Sequence, residues 1–167
     1  MATLKRLVTF PEITARTVVA LGSEAHKFTV AIPLAEQQHL RPVLGQALYS
    51  ELLSFIQTAT PDDADPLSAL AEQVKDMLST WAVVEAWPSL LGHIEAAGFV
   101  TKVGKSEGTT RADVELTDRQ EAALRRTAIL QSAELVRWLT EHKSEYPSWE
   151  APGGPPSTEM ALGGLLL

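Results

Sequence analysis

The sequence predicts an all-α protein: a small helical bundle of about four main helices, with an extended hairpin-like loop before the last helix and an extended C-terminal tail. Apolar residues recur three or four apart along most of the chain, and proline, glycine and capping residues interrupt this pattern as they do at helix ends. The 167 residues fit one domain. We expect an arm or short helix at 1–23, a helical domain at 24–145 with a protruding loop at 98–116, and a docking tail at 146–167.

The composition narrows the class of protein. The chain has no cysteine, which removes disulfides, thiolate zinc sites and cysteine nucleophiles. Its net charge of -7 and dispersed lysines and arginines argue against sequence-specific nucleic-acid binding. No apolar run approaches the roughly 18 residues of a membrane span, so we expect a soluble protein without a signal peptide.

The first third of the chain leaves one element open. "EITARTVVAL" suits either a strand or a short helix after Pro11. From Ser23 the spacing is helical, and Pro33 either kinks that helix or begins it.

A corner between two helices is the sharpest local pattern. The pair Arg41-Pro42 is expected to end or redirect the first helix, because the residue before proline avoids the α region. Gly45 then serves the tight corner between the helices, where a side chain would clash or a positive φ is needed. The following helix has a polar side and an apolar stripe, with Tyr49 beside the stripe. The stripe consists of Leu44, Leu48, Leu52, Phe55 and Ile56.

The third helix begins at Asp65-Pro66, with Asp65 as N-cap, and runs from Leu67 to about Ala97. It is apolar over much of its circumference, which is typical of the centre of a bundle or of contact with a neighbouring subunit. Pro88 is expected to bend it.

Residues 98–116 are predicted to be non-helical and to form two short extended arms around a polar tip. The tip contains "GKS", but the other features of a phosphate-binding loop are absent. Residues 117–120 form a capping-box pattern, so the last helix is predicted to start there and to end at about His142.

No residue pattern predicts chemistry, so we expect no catalytic, cofactor or metal site. The histidines have no metal-ligand spacing; they are His26, His39, His93 and His142. Glu85 lies among apolar residues of the third helix, where it is expected to reach the rim or to pair with an arginine. The less favoured alternative is an acid with a raised pKa.

The tail contains an aromatic residue, Trp149, outside any predicted helix, and ends in three leucines. Such residues typically attach a tail to a partner surface. The candidate interface residues of the tail and the 101–113 loop are Trp149, Met160, Leu162, Leu165, Leu166, Leu167, Lys102, Lys105 and Arg111.

The segment "HLRPVLGQALYSEL", followed by a long third helix, a polar loop and the closing helix "AILQSAELVRWLTEH", resembles the head-to-tail connector (neck or adaptor) proteins of tailed bacteriophages. It is most similar to versions from phages and prophages of Bacteroidetes-like hosts. The resemblance covers roughly residues 25–145. Its most specific part is the structural corner of Pro42, Leu44, Gly45, Leu48 and Tyr49.

The resemblance implies a structural virion protein of the neck, made in the host cytoplasm and without enzymatic activity. It implies a dodecameric ring of this chain between the portal protein and a downstream tail or stopper protein. Double-stranded DNA would pass through the ring without sequence-specific binding, and no membrane is involved. The 101–113 loop is expected to reach the channel or an adjoining ring, and the tail to dock on a neighbour or on the portal.

Two other classes of function stay open. One is an intracellular helical interaction or regulatory module whose tail binds a partner, and the other is a small enzyme that uses the Glu85 region.

Overall fold

The computed structural model describes residues 6–17, 25–58, 65–95, 98–101 and 111–152, with the backbone alone at 91–95, 98–101 and 111–117. The prediction of an all-α bundle is confirmed, with one short two-stranded hairpin before the last helix. In chain order the helices and strands are α1 (Phe10–Arg16), a 3-10 turn (Ala25–Lys27), α2 (Phe28–Ala35), a π-helical turn (Glu36–Leu40), α3 (Arg41–Thr58), α4 (Pro66–Leu91), β1 (Gly92–Glu95), β2 (Gly98–Thr101) and α5 (Arg111–Glu141).

The N-terminal element that the sequence left open is a helix, α1. Glu12 reaches back and accepts a hydrogen bond from the Thr9 backbone N–H at 2.8 Å, which satisfies one free amide of the first turn. Ile13 is completely buried against the rest of the core. Ion pairs from Arg16 to Glu72 and from Lys75 to Glu12 then hold α1 along α4.

The connection from α2 to α3 is a continuous helical path as far as Leu44. Pro33 lies inside α2 and does not begin it. The expectation that Arg41-Pro42 ends or redirects the first helix is wrong, because Arg41 has helical angles of φ -58° and ψ -39° and the non-helical residue of this segment is Gly45. The direction changes at Gly45, where φ is 74° and ψ is 163°. Of the two reasons predicted for a glycine here, the positive φ is confirmed and the side-chain clash is wrong.

Helix α4 is the centre of the bundle, and α1, α2 and α5 all pack against it. Asp65 caps it as predicted, accepting the Leu67 backbone N–H at 2.8 Å. Eight consecutive residues, Met77 to Val84, are buried, so this stretch of the helix is covered on every side by its own chain. Of the two sequence-based alternatives the structure favours a bundle centre. Contact of α4 with a neighbouring subunit stays a prediction, since Trp87 and Leu90 near its end are only half-buried.

The end of α4 and the start of α5 differ from the prediction. Helix α4 continues through Pro88 but stops at Leu91, because Gly92 follows and begins the strand β1. Strands β1 and β2 pair antiparallel, with Ile94 opposite Phe99. The hairpin therefore starts six residues before the predicted loop.

The predicted second extended arm, around residues 114–116, is part of helix α5, which begins at Arg111 and not at the 117–120 capping box. Residues 111–117 include arginine, alanine, glutamate and leucine, which are strong helix formers. Extending the helix through Thr117 and Asp118 costs only about 0.5 kcal/mol per residue. The last three residues of the predicted tip, 111–113, are also helical, and residues 102–110 lie outside the described residues.

Candidate functional site

The segment after α5 folds back on its own chain. Trp149 is 1 % exposed, and its indole Nε1–H donates to the Val43 carbonyl of α3 at 3.0 Å. Tyr146 is 2 % exposed, and its hydroxyl donates to the Pro66 carbonyl at the start of α4 at 2.6 Å. Between them Ser148 donates to the Glu51 carboxylate. These contacts close α5 and the turn after it onto both α3 and α4.

This arrangement corrects the prediction that Trp149 is an interface residue and that a docking tail starts at 146. Burying a large aromatic ring removes 150–250 Å² of surface from water, and its polar N–H finds a backbone acceptor in the same chain. The sequence could not distinguish this core from a partner surface, because both offer the ring an apolar environment. Trp149 belongs to the hydrophobic core.

The other predicted interface residues have no described side chain. Arg111 is the first residue of α5, with only its backbone described. The remainder lie outside the described residues: Lys102, Lys105, Met160, Leu162, Leu165, Leu166 and Leu167.

The predicted structural corner is assembled as one unit around Gly45. Leu44 and Leu48 are completely buried, and Tyr49 is half-buried beside them. Pro42 is exposed on the helical turn before the corner. A β-carbon built on Gly45 would meet no atom within 4 Å, so the glycine is required by its backbone angles and not by lack of space.

A polar cluster that the sequence did not predict lies where the π-helical turn meets α4. His39 Nε2 lies 2.8 Å from Glu85 Oε1, and the imidazole stacks on the Trp81 ring with centroids 3.5 Å apart and planes 6° apart. Because a carboxylate only accepts hydrogen bonds, Nε2 carries the proton. The Trp81 indole N–H in turn donates to Ser132 of α5 at 3.0 Å. The cluster thus joins three helical segments.

Burial controls the electrostatics of this cluster. Loss of hydration lowers the pKa of His39 below its ordinary 6.5, the hydrogen bond and charge of Glu85 oppose this shift, and the nearby Arg125 adds to it. Of the two favoured expectations for Glu85, the arginine partner is wrong, since Glu85 pairs with His39, and its side chain is partly exposed, in agreement with a position at the rim. These two residues are 46 apart in sequence, and no local spacing could have indicated the pair.

A second buried polar group, Glu36, begins the same π-helical turn. It is 8 % exposed, and its Oε1 is buried with no hydrogen-bond partner among the described residues. Burial raises the pKa of Glu36, while the Arg6 charge and the Leu7 amide partly oppose this. Burial thus shifts the pKa of each residue in the direction that favours its neutral form.

The described histidines and carboxylates do not gather into a metal-ligand cluster. Within the described residues no group of three or more His, Cys, Asp or Glu side chains could hold a metal ion. His26 is exposed, His142 stacks on Trp138, and His93 lies on β1 with only its backbone described. The chemistry that His39 and Glu85 supply is a hydrogen-bonded bridge between helices.

Two grooves lie away from the cluster. One, of about 340 Å³, lies between the segment before α1, the end of α3 and the start of α4; Leu7, Phe55 and Lys75 are among its lining residues. The other, of about 290 Å³, lies between α4 and α5 and includes Met77, Gln131 and Trp138. Across the described segments, no helix is long and apolar enough to cross a membrane.

Together these features define an all-α bundle around one central helix, closed by a C-terminal aromatic clasp. The chain belongs to a family described as "Family of unknown function (DUF6712)", which it matches over residues 40–159, more than half of its length. The matched region runs from the Gly45 corner past the Trp149 clasp. No curated protein and no solved structure matches the chain.

Proposed function

We propose that this protein is a head-to-tail connector of a tailed bacteriophage, a structural subunit that forms a ring beneath the portal and extends the DNA channel toward the tail. The observation that carries the proposal is the order of elements around the Gly45 corner. The "RPVLGQALY" segment folds as a helical turn, a sharp change of direction at a positive φ, and a helix with an apolar stripe. That corner is the most specific part of the resemblance to connector proteins.

The connection between α4 and α5 gives further support. In the resemblance, a polar loop separates the third helix from the closing helix. In this chain the antiparallel hairpin of β1 and β2 directly follows the central helix α4 and takes the place of that loop. An element that joins two long packed helices is suited to contact an adjoining ring or a channel, because such a contact leaves the packing of the bundle unchanged.

The net charge is also consistent with a DNA channel. With a formal charge of -7 at pH 7 the chain as a whole repels the phosphate backbone. A channel wall of this kind lets DNA pass without holding it, whereas a protein with many phosphate contacts binds DNA tightly at low salt.

Assembly with the portal protein encoded in the same genome tests the proposal. The purified full-length chain is mixed with portal rings and examined by native mass measurement and electron microscopy. We expect a second ring stacked on the portal, in the symmetry of the portal. A chain that stays at 18.1 kDa in the mixture, and that is missing from purified virus particles, would overturn the proposal.

A pair of truncations sharpens this experiment. Deleting 153–167 removes the predicted docking residues Met160 and Leu162 and the terminal leucines but leaves the Trp149 clasp. If the tail docks on the portal or on a neighbour, this variant keeps its helical circular dichroism spectrum and loses the stacked ring. Deleting 149–167 is the matched control, because it also removes Trp149 and is expected to lower the thermal stability.

A further inference from the structure

The larger of the two grooves has an apolar floor. It lies between the segment before α1, the end of α3 and the start of α4, and its volume of about 340 Å³ is within the range of ligand-binding sites. Three of its apolar lining residues are only half-buried, so the described part of the chain leaves apolar surface open there. The apolar lining residues are Leu7, Phe55, Ile56 and Ala71.

The charges on the rim of this groove leave one cation available. Lys75 Nζ lies 3.0 Å from a Glu12 carboxylate oxygen and 2.5 Å from a Glu72 carboxylate oxygen, so these charges neutralise one another. Arg6 is exposed and forms no ion pair among the described residues, although its charge acts on Glu36. An occupant with one negative charge beside an apolar segment therefore suits the groove.

Two segments outside the described residues adjoin the groove in sequence, and their charges suit it poorly. Residues 59–64, which follow α3, contain two aspartates, and burial of a carboxylate on an apolar floor is costly. Residues 1–5 end in Lys5, a cation directly before Arg6. Neither segment combines several large apolar side chains with a negative charge.

The tail has both properties. Residues 160–167 carry no charge and include five large apolar side chains, one methionine and four leucines. Glu159 comes directly before them and is the only charged side chain in residues 153–167. The apolar segment gains free energy when it moves from water into an apolar groove, and the carboxylate at its start is complementary to Arg6.

The path of the chain brings the tail close to this groove. Ser148 donates to the Glu51 carboxylate at 2.8 Å, and Glu51 lies one helical turn before Phe55 on the same face of α3. Trp149 then binds Val43, which is at most about 18 Å from Phe55 at 1.5 Å per residue. Residues 149–160 span up to about 36 Å when extended, so the segment that follows can reach the groove of its own chain.

We propose that residues 160–167 of the isolated chain dock in the groove of the same chain, with Glu159 beside Arg6. The Trp149 clasp fixes the start of the tail near the groove, and such a tether gives an effective concentration on the order of millimolar. A second copy at a lower concentration therefore competes poorly for the groove. This contact needs no portal, and docking of the tail on another protein requires that it first leave the groove.

Cysteine cross-linking of the full-length chain tests the contact, because the natural chain has no cysteine. Ser68→Cys places a thiol in the lining of the groove and is combined in turn with Leu162→Cys, Leu165→Cys and Leu166→Cys. A disulfide requires Cα atoms about 4.4–6.8 Å apart. We expect at least one pair to form a disulfide within the monomer, at a rate independent of protein concentration, as measured by mass after alkylation of the free thiols.

Two matched controls show whether the groove and the charge pair are responsible. Ser54→Cys, exposed on α3 outside the groove, replaces Ser68→Cys and should react at least about ten-fold more slowly with the same tail cysteines. Adding Arg6→Glu to the reactive pair should slow the disulfide several-fold, because it places two carboxylates together. Adding Glu159→Arg to that variant restores the opposite charges and should restore the rate.

Each outcome decides for or against the contact. Fast monomeric disulfides at Ser68→Cys, together with rescue by the charge exchange, support it. Equal rates for Ser54→Cys and Ser68→Cys overturn it, as do disulfides that appear only in dimers whose yield rises with concentration. A slow Arg6→Glu variant that Glu159→Arg does not rescue overturns the pairing of Glu159 with Arg6. Failure to stack on the portal refutes the proposed connector function alone, because these measurements use the isolated chain.

Discussion

Replacing Trp149 with alanine tests whether the C-terminal segment is part of the core. The side chain is 1 % exposed and donates a hydrogen bond to Val43. Removing a buried tryptophan costs about 3–5 kcal/mol in the free energy of unfolding, through lost burial and the cavity left behind. Domains are stable by only about 5–15 kcal/mol. The variant should therefore lose a large part of its stability.

The assay is urea or thermal unfolding of the full-length chain, followed by far-ultraviolet circular dichroism. For a chain of this size, each kcal/mol lowers Tm by about 2–4 °C, so the expected fall is roughly 6–20 °C. Trp149→Phe keeps most of the apolar volume but loses the N–H donor, and should cost about 1 kcal/mol. The neighbouring exposed residue supplies the control, since Glu150→Ala should stay within about 0.5 kcal/mol of the natural chain.

One result would refute the reasoning. If Trp149→Ala unfolds at the same temperature as Glu150→Ala while assembly on the portal is lost, Trp149 acts at a partner surface and not in the core. The original sequence-based interpretation of the tail would then be restored.

Three further predictions concern the π-helical turn and the corner. Burial lowers the pKa of His39, so the folded state favours the neutral imidazole. The contribution of His39 to stability is therefore fully present above pH 6.5 and is lost as the pH drops from 6.5 toward the lower folded-state pKa. His39→Gln should flatten this part of a plot of unfolding free energy against pH, and an unchanged slope would contradict the assignment. The pKa of Glu36 is raised, so its contribution has the opposite sign and is lost as the pH rises above 4.5. Glu36→Gln should therefore stabilise the chain by about 1 kcal/mol at neutral pH. If the variant unfolds at the same urea concentration as the natural chain, Arg6 and Leu7 already compensate the buried carboxylate. Gly45→Ala should lower the free energy of unfolding by about 1–3 kcal/mol, because alanine is strained at φ 74°. The control is Ser54→Ala on the exposed face of α3. Equal unfolding midpoints for the two variants would mean that the backbone of the corner relaxes to accommodate alanine.

The sequence by itself determined the features that depend on neighbouring residues. Helical periodicity predicted the bundle and the stripe through Leu44, Leu48 and Leu52. The capping pattern of Asp65-Pro66 predicted the start of α4. The positive φ of Gly45 was predictable because few other residues adopt it. Capping, propensity and backbone sterics act within a few positions, so they can be recognised without the fold.

The tertiary structure decided which apolar and polar groups meet. Trp149 packs on Val43 across 106 residues, and His39 meets Glu85 across 46. Neither pairing can be recognised from neighbouring residues in the sequence. An aromatic ring suits a core or a partner surface equally well, and the residues around a histidine do not indicate whether it is exposed or pairs with a carboxylate. The start of α5 was also not predictable from the sequence, because Thr117 can either cap a helix or continue one at a small cost in free energy. Long-range burial decides such choices, and only the folded chain defines it.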